Sequence, residues 1–230
     1  MATVSASPRA TRRLRPAAVA TLLLIAVAAW IARRPLLVAV ARALIAEDAL
    51  VPVEAIVISS AAVREDALEA ARLYHEGISR RLIVAEWFDD PLDGELHRIG
   101  VPQLDVTALA RAILAHSGVP PEAITIVPGP VAGTEDEVAV AADYVRAEGV
   151  RSVLFLAPRT HTARARWLLR RRLPPSVRLV VRSARLDPFD IDGWWRYRDQ
   201  SRDVMAEYVR WLNSALLGDA WHSRLPTRRS

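Results

Sequence analysis

Between Glu54 and Ser183 the chain alternates five short apolar runs with longer stretches of helical period. That alternation restricts the fold more than any other property of the sequence. "EAIVIS" (54–59), "RRLIVA" (80–85), "EAITIV" (122–127), "VRSVLFLA" (150–157) and "VRLVVRS" (177–183) read as strands. Runs this short and this continuously apolar belong to strands buried on both faces. Between them, 64–77, 107–118, 134–149 and 161–172 carry helical periodicity, and several end on glycine. In the first, Ala67, Ala70, Ala71 and Tyr74 fall on one face and Gly77 is the stop. A last helix is expected over 201–218, closed by Gly218. Parallel strands need crossover connections of this length, so the pattern predicts an α/β fold: a doubly wound, mostly parallel open sheet of about five strands, Rossmann-like.

Ahead of this region lies a different kind of segment. Arg9, Arg12, Arg13 and Arg15 precede an uncharged run of 17 residues, Pro16 to Ala32. That length is near the lower limit for a spanning helix, and Arg33 and Arg34 after it can snorkel to an interface. We expect an uncleaved transmembrane anchor with a cytoplasmic N-terminus and the remainder extracytoplasmic. The alternative is secretion after cleavage of a signal peptide at Ala26-Val27-Ala28. The implied organisation is a basic tail (1–16), an anchor with a juxtamembrane helix (17–46), an α/β domain (47–218) and a C-terminal tail (219–230).

Composition narrows the function classes. A hydrophobic fraction of 52% is ample for a core, and the formal charge of +5 comes from 31 cationic residues, all arginine. These are scattered among acids without a basic stripe or aromatic interleaving, so nucleic acid is not an expected partner. The chain has no cysteine, which excludes disulfides and thiolate metal sites. No GxGxxG follows the first strand, no GxSxG elbow surrounds either serine there, and HExxH is absent. "DPFDID" (187–192) lacks the glycine and distal glutamate of a calcium loop, so no metal is expected. Trp194 and Trp195 read as packing for the final helix.

In an open α/β sheet, ligands bind beyond the carboxyl ends of the strands, where helix N-termini present free N–H groups. The unusual polar residues fall there. They are Ser59, Ser60 and Arg64 after the first strand, Glu86 and Trp87 after the second, the turn "PGPVAGTEDE" after the third, and Arg159, Thr160, His161 and Arg164 after the fourth. His161 and Arg164, three apart, share a helix face, and an arginine fork suits phosphate or carboxylate. Thr160 could instead cap the following helix, and Thr134 with Glu137 has the spacing of a capping box.

With "VEAIVISSAAVREDALEAARLYHEG", "SGVPPEAITIVPGPVAGTEDEVAVAA" and "VLFLAPRTHTARARWLLRR" following a membrane segment, the chain resembles the ElyC/SanA/YdcF family of bacterial envelope proteins over approximately residues 47–217. The resemblance rests most on His161 followed by Arg164-Ala165, with Arg64 and Thr134 as further matching positions. Ser59 and Ser60 stand where members commonly have glycines, and Gly133 to Glu137 replaces an "NTxEN" turn. The resemblance implies cell-envelope, peptidoglycan or lipid-carrier metabolism.

The expected function is binding of an anionic, phosphorylated envelope intermediate, such as a polyprenyl-phosphate-linked sugar. Ser59, Ser60, Arg64, Thr134, Arg159, Thr160 and Arg164 would form the ligand site, and His161 would be the acid/base if chemistry occurs. A non-catalytic envelope scaffold or regulator, and a nucleotide- or S-adenosylmethionine-binding protein, are the alternatives. No residue spacing compels a reaction type or names a cofactor.

Overall fold

The structure is a computed structural model that describes residues 16–87, 95–96, 98–101, 105–131 and 133–217. The basic tail with Arg9, Arg12, Arg13 and Arg15, the glycine stop at Gly218 and the tail 219–230 lie outside the described residues.

Five strands form one parallel sheet: β1 (Ala55–Ile58), β2 (Leu82–Trp87), β3 (Ile124–Val131), β4 (Ser152–Leu156) and β5 (Arg178–Arg182), in the order β3-β2-β1-β4-β5. Helices α2 (Val63–His75) and α3 (Val106–His116) connect the first three strands, and α4 (Thr134–Ala147) and α5 (Thr162–Arg172) connect the last three. The residues of each strand divide by parity, as the two-residue repeat of a strand requires. Ile56, Ile58, Leu82, Val84, Leu154 and Leu156 pack under α2 and α3. Ala55, Val57, Ile83, Val153, Phe155 and Val181 pack under α4 and α5. The sheet is therefore covered on both faces, and the expected doubly wound fold is the observed one.

Helix stops follow the glycines. Gly77 (φ 75°) and Gly149 (φ 64°) adopt the left-handed conformation that only glycine takes without steric cost. At each, the next residue's N–H reaches back to the third-last helical carbonyl, Ile78 to Leu73 and Val150 to Val145, which closes α2 and α4 with paired backbone groups.

Two expected loops turn out to be strand. β2 includes Glu86 and Trp87, and β3 runs on through Pro128 to Val131, with Trp87 in register with Val131 beyond a shift in the pairing. Proline can occupy β3 because it is an edge strand, where one side of the backbone needs no ladder partner.

A third cluster joins the two ends of the described chain. α1 (Pro16–Ala43) is long and apolar enough to cross a membrane, with a mean hydropathy of 1.9 over its best window. Its foot, Ala41 with Leu44, packs against Phe189, Trp194 and Val204, the last from α6 (Arg198–Leu217). Trp194 shares this cluster with Val204 of the last helix, as expected, and its Nε1 donates to the Leu37 carbonyl of α1 at 3.0 Å. The connection from α1 to β1 is clamped to the edge strand β5. Asp48 exchanges backbone and side-chain hydrogen bonds with Val181, and Glu47 Oε1 accepts from Ser183 N at 3.1 Å and from its hydroxyl at 2.5 Å. These bonds occupy the edge that β5 would otherwise leave open.

Candidate functional site

The sheet order reverses direction at β1, so β1 and β4 lie side by side while their following helices leave on opposite faces. Such a reversal opens a crevice beyond the carboxyl ends of the two strands, the usual ligand position in this fold class. Ser59 and Ser60 follow β1, Arg64 lies in the first turn of α2, and Arg159 to His161 form a tight turn between β4 and α5. The structure brings these expected residues to one end of the sheet.

Their side chains are used in different ways. Arg64 is exposed, and no hydrogen bond or ion pair holds it among the described residues. Arg159 is half-buried: its backbone N–H donates to Asp187 Oδ2 at 2.8 Å, and its guanidinium reaches the Ser183 hydroxyl and the Phe189 carbonyl, both at 3.3 Å. Ser59 and Ser60 turn inward. The Ser59 hydroxyl donates to Glu137 Oε2 at 2.9 Å and the Ser60 N–H to Glu137 Oε1 at 2.6 Å. Glu137 comes from α4, so this contact ties the loop after β1 to the helix after β3.

That engagement corrects the expected capping box. The residue before α4 is Gly133, and no side chain caps the helix. Glu137 is drawn to Ser59 and Ser60, and the Thr134 hydroxyl accepts from Arg164 Nη2 at 3.3 Å. Thr160 does not cap α5 either. It is buried in the preceding turn, and the neighbouring Thr162 makes the local bonds, donating to the Arg159 carbonyl at 2.7 Å and accepting from Ala46 N–H at 2.8 Å.

Arg164 does not face the crevice as a free fork. It is the largest fully buried side chain, and its guanidinium is spent inside the protein. Nε donates to Glu207 Oε1 at 2.5 Å, Nη2 to Glu207 Oε2 at 3.3 Å, and Nη1 to Glu135 Oε1 at 2.9 Å. The Ser214 hydroxyl adds a bond to the same Glu135 oxygen. α4, α5 and α6 therefore meet at one guanidinium. Burial opposes its charge, and the hydrogen bonds and charges of Glu207 and Glu135 together outweigh burial, so Arg164 is held protonated. Burial pushes the Glu207 carboxyl upward while Arg164 and Arg210 pull it back down. We read the pair as ionised, because an arginine does not give up its proton in a protein.

His161 and Arg164 do share a helix face, but they converge on Glu207. His161 Nε2 lies 3.4 Å from Glu207 Oε2 and 3.5 Å from Arg210 Nη1, and its Nδ1 is buried without a partner. Burial first, then Arg164 and Arg210, pull its pKa down to about 4. The ring is neutral at pH 7.

Asp66 is an acid that the sequence reading passed over. It sits on the buried face of α2, wholly inaccessible, with neither carboxyl oxygen hydrogen-bonded. Burial, then the charges of Glu137 and Asp187, raise its pKa well above the ordinary range, which favours the protonated form. Glu137 is raised by burial too, against the hydrogen bonds from Ser60 and Ser59. Asp66 and Glu137 are thus two buried carboxyls near enough for the charge of one to raise the other, behind the loop that follows β1. Asp66 and Glu207 had one legible signal each, an acid within an apolar helical stripe: Asp66 with Ala70 and Leu73, and Glu207 with Val204 and Trp211.

Asp187 and Asp190 of "DPFDID" brace their own loop, and Asp187 also holds the turn at Arg159. Asp187 Oδ1 accepts from Phe189 N–H at 2.9 Å and Asp190 Oδ1 from Asp192 N–H at 3.0 Å. Compared with known proteins, this chain matches no family model, no curated protein and no solved structure.

Proposed function

We propose that this is a membrane-anchored extracytoplasmic α/β domain that binds an anionic, phosphorylated envelope intermediate at the β1/β4 crevice and acts in cell-envelope biogenesis, in keeping with its resemblance to the ElyC/SanA/YdcF proteins. The observation that carries this reading is the position of Arg64 and Arg159 at the first turns that follow β1 and β4, on either side of the crevice. Exposed Arg64 has its guanidinium available for a phosphate, and the first-turn N–H groups of α2 add a favourable dipole. Arg164, Thr134 and Glu207 stand behind the site as support. His161 acts as a neutral hydrogen-bonding group, since at a pKa of about 4 it is not imidazolium near pH 7 and cannot serve there as a general acid.

The test is calorimetric titration of the full chain in lipid nanodiscs with polyprenyl phosphates and soluble head-group analogues. Binding that weakens about tenfold in Arg64→Ala, or about 1.4 kcal/mol, supports the assignment. Absence of binding by folded wild type rejects it.

A second reading, a non-catalytic envelope scaffold, is favoured by a specific observation: Ser59, Ser60, Thr134 and Arg164 already satisfy one another's neighbours inside the protein. Partner capture that survives Arg64→Ala and Arg159→Ala together would favour the scaffold.

A further inference from the structure

α6 carries an apolar stripe on the side away from the domain. Met205, Val209, Leu212 and Leu216 are 69%, 58%, 57% and 73% exposed, and their spacing of four, three and four places them within one narrow sector of the helix. The buried face, Val204, Glu207 and Ser214, lies opposite. Charge is unevenly divided along the helix: Arg198, Asp199, Arg202, Asp203, Glu207 and Arg210 occupy its first part, and no charged residue follows through Leu217.

The contacts with α1 orient this stripe. Val204 packs with Ala41 and Leu44, and the Tyr208 hydroxyl donates to the Val40 carbonyl at 2.7 Å. Numbers rise on α6 as they fall on α1, so the two helices run antiparallel and the uncharged end of α6 points along α1 toward its apolar run. Ala32 is the last residue of the uncharged run, immediately before Arg33 and Arg34, which are exposed.

We propose that the second half of α6 inserts its exposed stripe into the lipid leaflet from which α1 emerges, as an amphipathic helix at the headgroup–acyl boundary, with Leu216 deepest and Met205 shallowest. The proposal rests on the reading of α1 as a membrane anchor. The occupant is lipid because α6 is held against the foot of the apolar helix α1 and because its charged residues stop at Arg210, which leaves an uncharged, apolar end beside the anchor. The segment at the foot of α1 also binds the first turn of α5, through Ala163 N–H to the Leu44 carbonyl at 3.1 Å and Ala46 N–H to the Thr162 hydroxyl. Insertion of α6 therefore holds the β1/β4 crevice beside the membrane surface and selects ligands that are themselves lipid-borne.

The chain has no cysteine, so one introduced cysteine gives a unique spin-label site. Val27→Cys, Met205→Cys, Val209→Cys, Leu212→Cys and Leu216→Cys are each labelled in the full chain and reconstituted in nanodiscs of phosphatidylcholine and phosphatidylglycerol. Accessibility to oxygen is compared with accessibility to a water-soluble nickel chelate. The expected result is a lipid-like ratio at Val27, and ratios on α6 that rise severalfold from Met205 to Leu216. A lipid-like Val27 with water-like values along α6 overturns the insertion and leaves the anchor standing. A water-like Val27 overturns both. Dipolar broadening between labels on α6 would show a second copy of the chain on the stripe, and also overturns the proposal.

Discussion

Arg164 Nε donates to Glu207 Oε1 at 2.5 Å with neither side chain reaching solvent, 1% and 0% exposed. The two residues lie on different helices and close the domain across the sheet end. A buried pair of this kind contributes little over a well-packed apolar pair, yet removing one member leaves the other buried with only its weaker partner, Glu135 for Arg164 or Arg210 for Glu207. Arg164→Ala and Glu207→Ala should each lower unfolding stability by about 3–5 kcal/mol. Arg164→Met with Glu207→Leu should lie much closer to wild type. Urea unfolding followed by tryptophan fluorescence decides this, and additive single costs in the double variant would contradict it.

Arg64 offers the contrasting case. It is exposed and unpaired among the described residues, so Arg64→Ala should change stability by no more than about 0.5 kcal/mol while weakening the binding of a phosphate ligand. Parallel melts and titrations separate it from Arg164→Ala, which should fail in both. Equal losses of stability in the two variants would show that Arg64 is structural.

Asp66 gives a pH signature of one sign. Its folded pKa is raised by burial, so the unfolded chain gives up the proton first as pH increases. Its contribution is whole below the ordinary aspartate pKa and is lost as pH rises toward the folded value. Asp66→Asn should therefore stabilise the protein, by a margin that grows as pH rises above the ordinary aspartate pKa. Melting curves over a series of pH values check it, and a constant difference would mean that Asp66 is ionised in the folded protein.

His161 acts in the opposite direction. Its pKa falls to about 4 in the folded chain, below the ordinary value of 6.5. The unfolded chain takes up the proton first as pH drops, so stability present above pH 6.5 is lost progressively down to about pH 4. The full excursion amounts to about 3 kcal/mol at 1.36 kcal/mol per pKa unit. His161→Gln should flatten this acid limb, measured by unfolding at pH 4.5 and pH 7.

The clamp on β5 is testable by hydrogen exchange. Asp48 Oδ2 accepts from Val181 N–H and Glu47 Oε1 from Ser183 N–H. Removing either acceptor leaves an edge-strand donor unpaired, at a cost of about 1–3 kcal/mol. Asp48→Ala should speed exchange at Val181 and Glu47→Ala at Ser183, each with little effect at Leu154 in the sheet centre. Uniform acceleration across the sheet would show that the clamp supports the whole domain.

The sheet was legible because its strands are continuous apolar runs and its helices end on glycines, both properties of short windows. The strand ends were less so. β3 continues through two prolines only because it lies at an edge, which no local window reveals. At the crevice, sequence located Ser59, Ser60, Arg64 and Arg159 to His161 correctly along the chain but could not say which way they turn. The Thr134 to Glu137 spacing fits a capping box, and a serine loop from another strand takes the glutamate instead. Arg164 resembles a ligand fork until α6 supplies Glu207 from 43 residues further on. Burial, not residue type, separates a guanidinium that binds a ligand from one that binds its own protein.

The contact between Tyr208 and Val40 spans 168 residues. Its consequence lies in the order of assembly. Every strand is synthesised before α6 exists, yet the foot of α1 and the guanidinium of Arg164 both wait for that helix. Closing so long a loop is entropically slow, and its reward arrives all at once when α6 docks. A nascent chain lacking Glu207 holds a complete sheet whose buried guanidinium has Glu135 and Thr134 but not its two closest acceptor contacts, so docking of α6 completes the pairing.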